Sequence, residues 1–288
     1  MKHSESRPAV FFRTFAVSIA AAAAVFLLGW WIISSRPGSD APPNETRLLP
    51  DASSRLTVLA LGVSESEELT VCALVSFQPD LIAVQTAVLP PETVWSAGGE
   101  QNTLAAAYRQ GGADYLRRQL SAWLGVPIDG ALVQNRRQLS AVMEACGPLP
   151  FTLTAALSGE TSGHRVSFPP GEYQLDGAAL ADLLTLQAPA DPARRSDRAA
   201  ELLGSLIRQH LPAVLTESGE ALVGTLLSHS QSDFSLLDYL ERRTALCSLA
   251  GRPELPVYCV YLDGTVGQEG YYLSEVSLTC LRAAFPAE

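Results

Sequence analysis

The sequence predicts an α/β protein: a single α/β sandwich with a central mixed β-sheet flanked by helices, preceded by one N-terminal transmembrane helix. Three observations predict it. Apolar runs of strand length occur at Leu56–Gly62, Leu69–Phe77 and Leu81–Leu89, and later segments carry apolar residues at helical spacing instead. The stretch Leu104–Pro150 places helix, buried strand and helix in close order. Thr14–Ser35 has no charged residue, and about 20 apolar residues suffice to span a bilayer.

Residues 1–13 read as a short cytoplasmic tail with Lys2, Arg7 and Arg13. Positive charge before an apolar span favours an N-terminus inside and a C-terminal domain outside. Trp30 and Trp31 suit a membrane interface. A cleaved signal peptide is the alternative, but the run is long and no clear small-residue cleavage site follows it. Residues 36–54, rich in Pro, Ser and Asp, form a tether, and residues 55–288 form the folded domain.

Within that domain, the second and third strands are separated by Gln78-Pro79-Asp80, which predicts a hairpin. Leu104, Ala107, Leu116, Leu120 and Leu124 share a helical face interrupted by Gly111–Gly112, predicting two helical pieces with a turn between them. Gly125–Gly130 stops the helix, and Ala131–Gln134 is a short apolar strand. Asn135 caps a second helix carrying Leu139, Val142, Met143 and Cys146 on one face. Gly147 and Pro148 end it. Phe151–Leu157 and His164–Phe168 read as strands. Helices are predicted after Asp176, over Ala193–Leu215, over Ser232–Ala250 and over Ser274–Phe285, with a strand at Pro256–Leu262.

Residues 36–288 carry 17 Arg against 29 Asp plus Glu. That acidity argues against general nucleic-acid binding, although a local arginine cluster around a phosphate is compatible with it. Cys72, Cys146, Cys247, Cys259 and Cys280 show no zinc-ligand spacing. They read either as buried thiols or, for Cys247, Cys259 and Cys280, as containing a disulfide outside the membrane. His164, His210 and His229 have no partner visible in the sequence. The pairs Arg117–Arg118 and Arg136–Arg137 read as exposed helix faces.

The order of AAY, then GG, then LGVPID, then strand and helix resembles the middle of the LytR-CpsA-Psr domain. Further along, PPGEYQLDGAALADLL, the Arg195-Ser196-Asp197-Arg198 segment and the closing LPVYCVYLDGTVGQEGYYLSEVSLTCLRAAF are similar to that family in the same order. The resemblance covers roughly Leu56–Phe285. It implies a membrane-anchored bacterial protein that moves a glycopolymer from a polyprenyl-pyrophosphate carrier to the cell wall. It also implies an apolar cavity for the isoprenoid tail and a magnesium ion at the phosphates. The label of transcriptional attenuator given to some members has no physical route to DNA in an acidic domain outside the membrane.

The departures bear on chemistry. Where the family carries Arg and Asp before its second strand, this chain has Glu68 and Thr70. The Arg and Asp of its Pro-Arg-Asp fall on Pro91 and Glu92. Its Lys and Asn before AAY fall on Thr103 and Ala105, its later Arg on Leu184, and its Gln on Ala199. Arg195 and Arg198 alone match as phosphate-binding residues, with Glu92 the remaining carboxylate. Pyrophosphate transfer relies on permanently charged, bidentate guanidinium groups and a metal-binding carboxylate. The expectation is therefore a silent or weak member that binds a polyprenyl-phosphate lipid or a partner in the envelope. An active phosphotransferase with a rearranged site on Arg195, Arg198 and Glu92, joined by Arg109 or Arg194 and using Mg2+, is the alternative. A lipid-independent scaffold is the third reading.

Overall fold

The structure is a computed structural model that describes residues 50–97, 99–161, 163–214, 219–250 and 255–286. The expected tail and membrane span, and the tether up to residue 49, lie outside them. No helix among the described residues is long and apolar enough to cross a membrane.

Strands β1 (Leu56–Val63), β2 (Leu69–Gln78) and β3 (Ala83–Leu89) form an antiparallel meander. The third strand starts at Ala83, later than the sequence suggests, because Leu81 is exposed in the turn and Ile82 has a φ of 52°. A hairpin of β4 (Val94–Ala97) and β5 (Glu100–Thr103) follows. It leads into α1 (Leu104–Leu124), one helix broken at Gly111 and Gly112. Gly112 has φ 67° and ψ −161°, a region that side chains other than glycine's essentially do not enter. The two predicted pieces are thus joined by a kink. Next come β6 (Gly130–Asn135) and α2 (Arg136–Cys146). Asn135 and Gln138 form a reciprocal capping box at the start of α2.

A smaller region holds β7 (Leu149–Leu153), β8 (Leu157–Thr161), β9 (His164–Phe168) and β10 (Gly171–Leu175). It leads to α3 (Gly177–Thr185), capped by Asp176, and α4 (Pro192–Val214). Then follow α5 (Gly219–Ser228), the edge strand β11 (Gln231–Ser232) and α6 (Leu236–Ala250). Strands β12 (Val257–Val260), β13 (Gly264–Val266) and β14 (Tyr271–Leu273) precede α7 (Glu275–Ala284). The hairpins β4–β5 and β13–β14 and helix α5 are additional to the sequence prediction.

The central sheet is mixed, with strand order β11-β6-β1-β2-β3-β12. Registered rows explain its two-faced burial. Ala131, Leu59, Leu74 and Ala87 stand side by side across four strands, as do Val133, Leu61, Cys72 and Leu89. Both rows pack on Leu104, Leu116, Leu120 and Leu124 of α1 and on Leu281 of α7. The opposite face, with Ala73, Val75, Val84 and Val88, meets Ala199 and Ala200 of α4 and Leu246 and Leu249 of α6. Helices therefore cover both faces, as expected for an α/β sandwich.

No disulfide joins the described cysteines, so the bridge considered among Cys247, Cys259 and Cys280 is not formed. Cys259 faces α4, where its thiol donates to the Ala200 carbonyl at 3.3 Å, whereas Cys280 is exposed on α7.

Helices α2 and α3 meet backbone to backbone at one glycine. A Cβ on Gly177 would lie 2.3 Å from Ser140 Cα and 3.0 Å from the Leu139 oxygen. We expect Gly177→Ala to cost about 1–3 kcal/mol by overpacking. Urea unfolding checks this: the midpoint falls while the slope stays constant.

Candidate functional site

A cleft of about 400 Å³ opens where β1 and β3 end and β2 begins. The start of β2 contributes Glu68 and Thr70, and the β3–β4 loop contributes Pro91 and Glu92. The start of α1 adds Thr103 and Ala105, the end of α3 adds Leu184, and the first turns of α4 add Arg195 and Ala199. These positions are distant in sequence, yet all line one opening where β3 ends beside the start of its antiparallel neighbour β2.

Glu92 is held in place from behind. The Tyr271 N–H donates to the Glu92 carbonyl at 2.9 Å, and Thr93 bridges Tyr271 in parallel register. Gly270 permits this approach, since a Cβ there would lie 2.3 Å from the Glu92 oxygen. Across the cleft, Arg195 Nη2 pairs with Glu92 Oε1. Its Nη1 donates to the Ala190 carbonyl at 2.8 Å. The side chain is only 17% exposed, against 36% for Glu92.

Arg198 stands apart from the cleft. It is 8% exposed, and its guanidinium donates to the Leu186 carbonyl at 2.7 Å and to the Ala188 carbonyl. Burial first, and then the charge of Arg195, lowers its pKa to about 10, so it stays protonated at neutral pH. Arg198 thus ties the α3–α4 loop to α4, and that loop forms a wall of the cleft. Arg109 lines a different groove. Arg194 is 76% exposed and lies 3.7 Å from Asp191. Neither joins Arg195 at the cleft.

The helix N-termini at the cleft are also engaged. The Leu104 and Ala105 N–H groups donate to the Thr93 and Pro91 carbonyls at 3.0 and 2.8 Å. The Ala106 N–H donates to the Thr103 hydroxyl at 3.2 Å. At α4, the Ala193 N–H donates to the Asp191 carboxylate at 3.1 Å. Such termini attract anions through unpaired N–H groups, and here the chain itself supplies the acceptors. Asp191 followed by Pro192 is a helix-start pair readable in the sequence, although the acceptors from Pro91 and Thr93 are not.

The residues do not fit the magnesium ion that the fold family implies. Among the described residues no three His, Cys, Asp or Glu side chains gather in metal-binding geometry. Glu92, the carboxylate aligned with the family's aspartate, is already paired with a guanidinium. Among the described residues of the cleft lining, Glu68, Glu92 and Arg195 are the charged ones, so an anion would meet a net negative surface.

His164, without a visible partner in the sequence, lies 3.3 Å from Asp182, which Arg136 holds through Nε at 3.1 Å and Nη2 at 3.0 Å. Arg117 and Arg118 both reach Asp114.

The fold and the cleft together define an α/β/α sandwich with one opening at the end of its sheet. The LytR_cpsA_psr family profile matches residues 63–247, and the chain belongs to the LytR-CpsA-Psr family. Solved structures share the fold at low identity. A Eubacterium siraeum protein described as a transcription regulator has a TM-score of 0.71 at 15% identity, covering 82% of this chain and 93% of its own. Bacillus subtilis TagV has a TM-score of 0.64 at 15% identity, covering 80% and 95%. A LytR-Csp2A-Psr enzyme from Actinomyces oris has a TM-score of 0.62 at 16% identity, covering 81% and 90%. Among curated protein sequences none matches this chain.

Two outcomes follow from this geometry. Arg198→Ala leaves buried carbonyls without donors and is expected to destabilise the fold by about 1–3 kcal/mol; unfolding with an unaltered midpoint would contradict the structural role. Asp197 titrates in a usable window. Burial raises its carboxyl to about 6, opposed by a hydrogen bond with the Leu262 backbone and assisted by Glu201, Asp191 and Asp263. An unfolded aspartate titrates at about 3.9, so the folded state binds this proton more tightly. Its stabilising contribution is present below pH 4 and is lost as pH rises to about 6. Asp197→Asn should flatten stability across that window in a pH series of thermal melts.

Proposed function

We propose that this chain is a catalytically silent member of its family. It is held by a single N-terminal membrane helix and acts outside the membrane in envelope assembly, where it recognises a polyprenyl lipid without transferring its cargo. One observation carries this reading. The cleft formed by the family's functional positions is intact, yet its arginine is paired with Glu92 and its helix N-termini are occupied by the chain's own acceptors.

A pyrophosphate entering the cleft would meet Glu68 and Glu92 and would have to displace an existing ion pair. Losing one stabilising donor from a transition state costs on the order of 10² to 10³ in rate, and several such groups are replaced here. The apolar part of the cleft remains, with Leu69, Val71, Val88 and Leu89 from the strands and Leu184 and Leu186 opposite them. Such walls suit an isoprenoid chain. They support recognition through the lipid tail, with little contribution from the phosphate. The scaffold reading draws on Leu236, Leu237 and Leu240 of α6, which are 38%, 63% and 38% exposed. Exposed apolar side chains grouped on one helix suit a protein partner.

The test uses the full chain in detergent. Thermal unfolding is followed with a short polyprenol and with the matching pyrophosphate, each with and without magnesium. A ligand at about 100 times its dissociation constant stabilises by about 2.7 kcal/mol. The expected result is equal stabilisation by both lipids, no magnesium dependence and no glycopolymer transfer. Glu68→Arg/Pro91→Arg/Leu184→Arg should then bind the pyrophosphate at least about tenfold more tightly, since a charge-assisted hydrogen bond contributes about 1.5–3 kcal/mol. Transfer by the unmodified chain would overturn the silent reading. Stabilisation by neither lipid would leave the scaffold.

A further inference from the structure

Behind the cleft, the start of α4 meets the β12–β13 loop and β14 through a group of acidic and phenolic side chains. We propose that Asp197, Asp263 and Tyr271 form a proton-operated latch at this seam, tight in acid and loosened as the pH rises, that sets how firmly Glu92 is held at the cleft. The latch belongs to the fold and stands whether or not the cleft takes a lipid.

Asp197 lies on α4 two residues after Arg195. Its carboxylate accepts from the N–H of Leu262, the residue before Asp263. Its Oδ1 is buried and has no hydrogen-bond partner among the described residues. Tyr271 is 1% exposed, and its hydroxyl is likewise buried and unpaired. The ring lies against Gly264, where a Cβ would sit 2.9 Å from Tyr271 Cζ and 3.0 Å from its hydroxyl. The Tyr271 N–H donates to the Glu92 carbonyl at 2.9 Å, so the seam is one hydrogen bond away from the rim of the cleft.

The groups that face Asp197 are acids and phenols. Asp191 comes from the α3–α4 loop, Glu201 from the next turn of α4 and Asp263 from the β12–β13 loop. Tyr261, following β12, donates to Glu201 at 3.3 Å. Burial first, and then Asp263, Asp191, Asp197 and Glu92, push the Tyr271 phenol up to about 12, so it stays a neutral hydroxyl. The arginines of the same helix are engaged elsewhere. Arg194 lies 3.7 Å from Asp191, Arg195 pairs with Glu92 and Ala190, and Arg198 donates to the α3–α4 loop. None of them compensates a charge on Asp197.

An ionised carboxylate in such a place is costly, because it is stripped of water and surrounded by like charge. With a proton, Asp197 is neutral and the seam packs. Without one, the closed seam holds a charge that water relieves only when the seam opens. In an open, hydrated seam an aspartate titrates at about 3.9, against about 6 in the closed one. The closed form therefore binds the proton more tightly. Acid favours closure, fully below about pH 4, and the advantage is lost as the pH rises to about 6. A difference of about two pH units corresponds to a change of up to about 100-fold in the opening equilibrium.

The test is hydrogen exchange of the full chain in detergent from pH 4 to pH 7.5, corrected for intrinsic amide rates. At pH 7.5 the Leu262 and Tyr271 amides are expected to exchange faster than those of β1 and β2. Their opening should then fall, by up to about 100-fold, as the pH drops through about 6. In Asp197→Asn, which carries no charge at any pH, both amides should stay protected throughout. Asp263→Asn, at an exposed position, should move the midpoint to lower pH, and it decides the matter if the first variant does not fold. The proposal is overturned if the two amides show no pH dependence, if the dependence persists in Asp197→Asn, or if Asp263→Asn leaves the midpoint unchanged. It is also overturned if the two amides exchange no faster than β1 and β2, which would tie the proton to global unfolding alone.

Discussion

Burial of the central sheet on both faces is the constraint from which the rest of this structure follows. The rows through Leu59–Leu74 and Leu61–Cys72 demand α1 and α7 on one side. The alanine and valine positions opposite demand α4 and α6 on the other. With both faces covered, loops and helix starts have only the strand ends to occupy. The cleft at the ends of β1 and β3 is therefore a consequence of packing. It needs no charged residue to exist, so its charges can be replaced while the opening persists.

This separation explains how Arg195 and Arg198, three apart on one helix, differ in role. Arg198 is buried and engaged with the carbonyls of the α3–α4 loop, so it belongs to the packing. Arg195 reaches across the opening to Glu92. Two charges that neutralise one another attract an external anion far less than a lone guanidinium would. The pair also links the start of α4 to the β3–β4 loop, which β14 supports from behind. The same contact that cancels the charge of Arg195 ties the two sides of the rim together.

Much of this was legible in the sequence, for physical reasons. The meander, β6 and α2 are marked by strand-length apolar runs, by Gly125 and Gly130 and by the Asn135 cap, all local signals. The positions that the resemblance aligns with the family's charged residues, Glu68, Pro91, Glu92, Thr103, Leu184 and Arg195, were also legible as a set, and the fold gathers them at one opening. Less legible were elements whose apolar pattern is short or absent, such as β4–β5 and β13–β14. The role of Arg198 was hidden as well, because a helix-surface spacing does not reveal which carbonyl a guanidinium will meet. The Pro91 and Thr93 carbonyls that occupy the start of α1 belong to long-range geometry and leave no mark in composition.

The two openings are not independent features of the surface. Glu68 lines the cleft and Glu67, the residue before it, lines the second groove. Glu67 has a φ of 60°, the left-handed conformation that turns the chain between β1 and β2. The same helix serves both openings, with Thr103 and Ala105 at the cleft and Tyr108 and Arg109 one turn further on. A ligand gripped in one opening would therefore load a turn and a helix that also wall the other. The first turn of α1 is pinned to Pro91 and Thr93 by its backbone.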